Sequence, residues 1–125
     1  LGLAERAPVQ VIEGLSLVDG VPVALFRSVL SAGRFPDLLA AMARLKSITA
    51  SLAEAGLADY TRESTAITAV LADPVQARHL HLAAGAPLLR SVSVNVDPNG
   101  AAVEFGTTCF AADRVTLTIS DKDLP

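Results

Sequence analysis

The chain has 125 residues, of which 51% are hydrophobic, and a formal net charge of −3. This length suits one domain that buries a core without metal or disulfide support, so we assign residues 1–125 to a single domain. The ten Lys and Arg residues are scattered rather than clustered, which argues against a nucleic-acid interface within this chain. No apolar run approaches the ~20 residues that cross a bilayer, which excludes a membrane-spanning protein.

The single cysteine, Cys109, lies in a strand-like run and cannot form an internal disulfide. It favours a reducing compartment, and no signal-peptide pattern opens the chain, so we expect a cytoplasmic protein. The chain starts at Leu1 rather than at a methionine, which suggests a fragment of a longer protein.

A hairpin is the first predicted element. Residues 8–18 are strand-like, Asp19-Gly20 is a favoured two-residue turn, and residues 21–30 form the partner strand. Arg27 shares one side of this second strand with apolar residues, where an unpaired charge is costly. Two interpretations stay open for Arg27: its side chain reaches water from a sheet edge, or it binds an anion.

Two short helices follow, over residues 35–45 and 48–55, and both carry apolar residues at helical spacing. Ser47 and Thr49 lie at the start of the second helix. Free backbone N–H groups and the helix dipole attract anions at such a position. The simpler interpretation is that both hydroxyls only cap the helix.

The second half of the chain is predicted to consist mostly of strands. They span residues 59–72, 88–97, 101–111 and 115–119, with a third short helix at residues 74–80. Tight turns between strands, with short helices between the hairpins, are typical of an α+β domain. We therefore predict an antiparallel sheet with short helices packed on one face.

Three residues of these strands are candidate site residues. Tyr60 and Arg62 are two positions apart and point to the same face. Glu104 is the one charge at the centre of a central-looking strand, and it is either a partner for an arginine across the sheet or a ligand group. The sequence shows no metal-ligand cluster, no Gly-rich phosphate loop and no nucleophile motif, so we expect no metal, no cofactor and no enzyme.

A series of short motifs runs along the chain: Asp19-Gly20-Val21-Pro22-Val23-Ala24, Arg34-Phe35-Pro36, Val70-Leu71-Ala72-Asp73-Pro74-Val75-Gln76-Ala77-Arg78, Gly85-Ala86-Pro87-Leu88-Leu89, Val103-Glu104-Phe105 and Asp113-Arg114. This series resembles the UTRA domain, the effector-binding half of GntR-type bacterial transcriptional regulators of the HutC subfamily. The block Ser47-Ile48-Thr49-Ala50-Ser51-Leu52, followed by Asp59-Tyr60-Thr61-Arg62, is most similar to the regulators of phosphonate utilisation.

The resemblance implies a chorismate-lyase-like fold in which a ligand is held between the sheet and the helices. It implies that a phosphate-like anion is bound by a strand arginine, by hydroxyls at a helix start and by an arginine on the next strand. The matching positions, together with an aromatic and an acidic neighbour, are Arg27, Ser47, Thr49, Tyr60, Arg62 and Glu104. It further implies a homodimeric regulator, such as a repressor, whose winged-helix DNA-binding domain precedes this domain and is absent from this chain.

One departure from the resemblance bears on the ligand. Sugar-phosphate-sensing relatives tend to carry a second arginine where this chain has Val29, so phosphate or a phosphonate is favoured over a sugar phosphate. The expected function is a sensor that binds a small anion and transmits this binding to DNA. Two alternatives stay open: an enzyme on the chorismate-lyase-like fold that uses Glu104, and a dimerisation module without a ligand.

Overall fold

The computed structural model describes residues 7–120 as a five-stranded sheet with three short helices. The strands are β1 (Val9–Val18), β2 (Val21–Ser31), β3 (Thr61–Leu71), β4 (Pro87–Val96) and β5 (Ala102–Ala111), and the helices are α1 (Leu38–Leu45), α2 (Ile48–Glu54) and α3 (Pro74–Leu80). The strand order is β1-β2-β5-β4-β3, and every neighbouring pair is antiparallel. The predicted α+β fold is confirmed.

Two hairpins, β1–β2 and β4–β5, supply four of the five strands, and β3 is added beside β4. The turns of both hairpins have local causes. Asp19 and Gly20 both have positive φ, 50° and 77°, which matches the twist that a two-residue hairpin needs. In the second hairpin, the Asp97 carboxylate accepts hydrogen bonds from the backbone N–H groups of Asn99 and Ala101. Because β5 pairs with both β2 and β4, the second hairpin joins the first at the centre of the sheet.

The sheet has two covered faces, which we call the α1–α2 face and the α3 face. On the first, helices α1 and α2 pack over a cluster formed by Ile12, Leu30, Phe35, Leu38, Leu52, Leu57 and Val103. On the second, α3 packs over a smaller cluster formed by Ala72, Ala77, Leu80, Leu88 and Cys109. The helices therefore lie on both faces and not on one, because the side of the sheet that carries Leu88 and Cys109 is also apolar and needs cover.

The predicted last strand, residues 115–119, is wrong, because residues 115–120 form no strand. The chain turns at the end of β5, where the backbone N–H of Val115 bonds to the carbonyl of Ala111. Since β5 already pairs on both sides, a strand that returned directly beside it has no free edge. Instead, the Arg114 guanidinium donates to the carbonyls of Pro22, Leu80 and His81.

None of the helices in the described part of the chain is long and apolar enough to cross a membrane.

Candidate functional site

A row of hydrogen-bonded side chains crosses three strands on the α1–α2 face. Its members are Arg62 on β3, Asn95 on β4 and Glu104 on β5, which are direct neighbours in the strand register. The Nε of Arg62 donates to Asn95 Oδ1 at 2.7 Å, and Asn95 Nδ2 donates to Glu104 Oε1 at 2.8 Å. A side bond runs from Arg62 Nη1 to Thr65 Oγ1 at 3.0 Å. We call Arg62, Asn95 and Glu104 the polar row.

The polar row runs from the surface into the core. Arg62 is exposed, whereas Asn95 and Glu104 are only 7% and 8% exposed. Leu30, which lies opposite Glu104 on β2, is fully buried in the cluster under α1 and α2. The row thus presents a guanidinium at the sheet edge and a carboxylate next to the core, and the Asn95 amide connects them.

The start of α2 lies against the segment that leads into β3. Thr49 Oγ1 and Tyr60 Oη are 2.8 Å apart, and Tyr60 packs against the cluster that contains Leu30. The Ser47 hydroxyl caps the helix by accepting from the backbone N–H of Ala50 at 3.1 Å. The structure therefore shows the capping role of Ser47, and it brings Thr49 and Tyr60 together.

Arg27 lies on the opposite face, so the expected convergence of two arginines is wrong. It is three positions before Leu30 on β2, and an odd separation in a strand places side chains on opposite faces. Its Nε lies 3.6 Å from Glu13 Oε1, and both of these side chains are more than half exposed. Strand β2 pairs with both β1 and β5, so the prediction that Arg27 lies on an edge strand is wrong. Its side chain nevertheless reaches the surface, where it pairs with Glu13 across the hairpin.

Three of the hollows on the surface of residues 7–120 are lined by residues outside the polar row. Arg27 lines one of about 570 Å³ on the α3 face, together with Gln76, His79 and Cys109. Another, of about 450 Å³, lies between α1 and α2, where Arg44 and Glu54 form an ion pair. The third, of about 400 Å³, is lined by residues 58–61 and Pro98, directly before Arg62 in the chain.

A family model of the UTRA domain matches residues 1–116. The chain belongs to the UTRA domain family. It is 39% identical to an uncharacterised HTH-type transcriptional regulator, RB1450 of Rhizobium meliloti, over 95% of this chain and 49% of that protein. It is 31% identical to the HTH-type transcriptional repressor PhnF of Mycolicibacterium smegmatis, over 94% of this chain and 48% of that protein.

Solved structures agree with this family. The crystal structure of PhnF from Mycobacterium smegmatis superposes with a TM-score of 0.87 at 30% identity, covering 94% of this chain and 52% of that one. A GntR-family regulator from Enterococcus faecalis shares the fold alone, with a TM-score of 0.78 at 18% identity, covering 95% of this chain and 85% of that one. This UTRA domain spans about half the length of the curated relatives it matches.

Sequence reasoning missed two features of this UTRA domain near the polar row. The first is Asn95, which follows Ser91 and Ser93 on one side of β4. Three polar residues at alternate positions are typical of a solvent-exposed strand face, so the sequence gives no sign that Asn95 is buried. The signal that could have found Asn95 is its place opposite Glu104 in the hairpin, since a buried acid needs a donor.

The second missed feature is an ion pair between Arg34 and Asp97, whose Nη2 and Oδ2 atoms are 2.8 Å apart. The Asp97 side chain is only 6% exposed. The hydrogen bond from Arg34, followed by those from the backbone of Ala101 and Asn99, holds the pKa of the Asp97 carboxyl below its usual value. Arg34 lies in the segment between β2 and α1, and Asp97 lies in the β4–β5 turn, so the ion pair connects the chain just before the helices to the sheet.

Proposed function

We propose that this UTRA domain is the effector-sensing part of a GntR-type transcriptional regulator and that it binds a small phosphate-like anion or a phosphonate at the polar row. The observation that carries the proposal is the state of Arg62. Its guanidinium is exposed, and Asn95 and Thr65 fix it through Nε and Nη1, but it has no ion-pair partner among residues 7–120. A planar guanidinium that is fixed but not neutralised is well suited to a phosphonate or phosphate group.

The surroundings of Arg62 support an anion that lies between the sheet and α2. Tyr60 precedes Arg62 on the same side and is hydrogen-bonded to Thr49 at the start of α2. The similarity of residues 47–52 and 59–62 to regulators of phosphonate utilisation fits this arrangement. Arg27 is left out of the proposed site, and Val29 supplies no second arginine, so a small anion is a better match than a sugar phosphate.

The proposed mechanism is a shift between two arrangements of the domain. The Thr49–Tyr60 hydrogen bond connects α2 to the strand that carries Arg62. A ligand that contacts both elements binds one arrangement better than the other and shifts the population towards it. Couplings of this kind are typically worth about 1–3 kcal/mol. The readout is DNA binding in the cytoplasm, through an N-terminal domain of the whole regulator.

We also propose that the domain forms a homodimer through its exposed sheet edge. Strand β3 lies at the edge of the sheet, and nearly all of its residues are exposed. Two large apolar side chains, Ile67 and Leu71, are 42% and 72% exposed. An unpaired edge with apolar side chains is a ready surface for a second chain. The same surface would serve a dimerisation module without a ligand.

Thermal unfolding of the chain with added anions tests the proposal. A ligand that binds only the folded state stabilises it by RT ln(1 + [L]/Kd), which is about 2.7 kcal/mol at a hundredfold excess over Kd. We expect phosphate or methylphosphonate to raise Tm in a saturable way, and glucose 6-phosphate to raise it less at equal concentration. Sodium chloride at matched ionic strength is the control.

Two outcomes of this test would contradict the proposal. No saturable increase with any of the three anions would leave only the dimerisation module. Conversion of chorismate to 4-hydroxybenzoate by the chain would instead identify an enzyme. Because the relatives that it matches are transcriptional regulators, we expect no such conversion.

A further inference from the structure

The segment between β2 and α1, residues 32–37, is held by a side chain of β1. Gln10 donates through Nε2 to the carbonyls of Phe35 and Pro36, at 2.8 and 3.3 Å. The other polar atom of the same amide, Oε1, is buried and has no hydrogen-bond partner among residues 7–120. A buried acceptor without a donor is costly, so this arrangement leaves the Gln10 amide only half satisfied.

The start of α1 has the opposite deficiency. The first N–H groups of a helix have no partner within the helix, and a side chain at the N-cap position usually accepts from them. Asp37 stands at this position but makes no such bond, and its φ of −101° and ψ of 12° are not extended. By contrast, Ser47 caps α2 and Asp73 caps α3 through their side chains. An acceptor that lacks a donor therefore lies next to a helix start that lacks an acceptor.

The surroundings leave room for these two groups to meet. Phe35 and Asp37 line the hollow of about 450 Å³ between α1 and α2, so unfilled space lies beside the start of α1. Rotation of the Gln10 amide about its last side-chain bond, a torsion with broad minima, exchanges the positions of Oε1 and Nε2. A second arrangement, in which Oε1 accepts from the first turn of α1, thus needs this rotation and a small shift of the segment.

The same segment contacts the candidate anion site from two sides. Arg34 pairs at 2.8 Å with Asp97, which follows Asn95 of the polar row by two positions along the chain. Phe35 is buried in the cluster against which Tyr60 packs. A ligand that favours one position of these neighbours also favours one arrangement of the segment.

We propose that Gln10 is a two-state switch. In one arrangement its amide donates to the carbonyls that precede α1, and in the other its Oε1 caps α1; anion binding at the polar row changes the balance between the two. Because Gln10 lies on the first strand, the change reaches the part of the whole regulator that precedes β1. The coupling to an anion rests on the proposed function, whereas the two arrangements themselves do not.

Amide hydrogen exchange at Leu39 and Ala40, measured by NMR without ligand, tests the two arrangements. A carboxylate accepts hydrogen bonds but donates none, so Gln10→Glu permits only the capping arrangement. Exchange at these two amides should slow about fivefold, the scale of one helix cap. Val9→Glu, which places the same charge on the opposite face of β1, is the control and should leave both rates unchanged. Unchanged or faster exchange in Gln10→Glu overturns the switch.

A second measurement uses only the wild-type chain and tests the coupling, so poor folding of Gln10→Glu does not remove the test. Saturation with methylphosphonate should change exchange at Leu39 and Ala40 by at least about threefold, because the ligand and the switch share one equilibrium. The amide of Ala77 in α3, on the other face of the sheet, should keep its rate. Binding without any change at the start of α1 overturns the coupling and leaves the anion site standing. Failure of methylphosphonate to bind overturns the proposed function and the coupling together.

Discussion

Two arginines on one sheet show what separates a candidate site from a surface charge. Arg62 lies on the α1–α2 face, where Asn95 and Thr65 hold it through two hydrogen bonds and no acid neutralises it within the described residues. Arg27 lies on the α3 face and faces Glu13 at 3.6 Å, with both side chains largely exposed. A fixed charge without a counter-ion can bind a ligand, whereas an exposed pair is screened by water and salt. The feature that distinguishes the candidate site is therefore an arginine whose hydrogen-bond partners, Asn95 and Thr65, are uncharged.

The largest expected effect comes from the core of the α3 face. Leu80 is fully buried in the cluster under α3, so Leu80→Ala should lower the free energy of unfolding by about 3 kcal/mol. Because this cluster lies on the side of the sheet away from Arg62, the affinity of the folded variant for methylphosphonate should stay within about twofold of the wild type. Urea unfolding and calorimetric titration measure the two quantities.

The control for this prediction is Val75→Ala on the same helix. Val75 is 55% exposed, so its truncation should change the free energy of unfolding by less than about 0.5 kcal/mol. If Leu80→Ala abolished methylphosphonate binding while the domain stayed folded, the two faces would be coupled and the comparison between them would fail.

Asn95→Leu should lower both stability and anion affinity, whereas Leu80→Ala should lower stability alone. Leucine keeps much of the volume but leaves the buried Glu104 carboxylate without its donor, which should cost about 2 kcal/mol of stability. Since Arg62 also loses its acceptor, anion affinity should fall at least about tenfold, a larger loss than Leu80→Ala causes. Ser93→Ala, two positions earlier on the same face of β4, is the control and should leave binding unchanged. Unchanged binding in Asn95→Leu would show that Arg62 needs no positioning.

The Arg34–Asp97 pair predicts a pH dependence of stability. Because Arg34 holds the folded-state pKa of Asp97 below its unfolded value, the pair stabilises the fold above about pH 4. This contribution is lost as pH falls through the folded-state pKa. The wild type should therefore exceed Arg34→Met in Tm at pH 7, and the difference should narrow towards pH 3. A constant difference across this range would contradict an electrostatic role.

Much of this fold could be predicted from local patterns. The hairpin turn at Asp19-Gly20, the two helices after β2 and the helix start at Asp73-Pro74 all follow from turn and capping chemistry that acts within a few residues. The strand predicted at residues 115–119 is wrong for a different reason. The alternation of apolar and polar residues is a local pattern, whereas a strand also needs an unpaired neighbour, and β5 is already paired with β2 and β4.

The candidate site could be predicted only in part. Alternation placed Tyr60 and Arg62 on one side, and Glu104 stood out as an isolated charge, but which side of β2 faces α2 is a property of the packed domain. For that reason the pattern alone does not show that Arg27 lies on the face opposite Arg62. The sequence predicts for Glu104 either an unspecified arginine across the sheet or a ligand as its partner. The structure inserts Asn95 between Arg62 and Glu104, and a neutral amide gives no charge signal in a sequence.

The most direct test of the account is a titration of methylphosphonate into three proteins: the wild type, Arg62→Ala and Arg27→Ala. Both variants remove one exposed strand arginine, so their effects on charge are matched. We predict that Arg62→Ala lowers the affinity at least about tenfold, because a charge-assisted contact is lost, and that Arg27→Ala leaves it within about twofold. Loss of binding in Arg27→Ala with retention in Arg62→Ala would contradict the account and place the ligand in the hollow beneath α3.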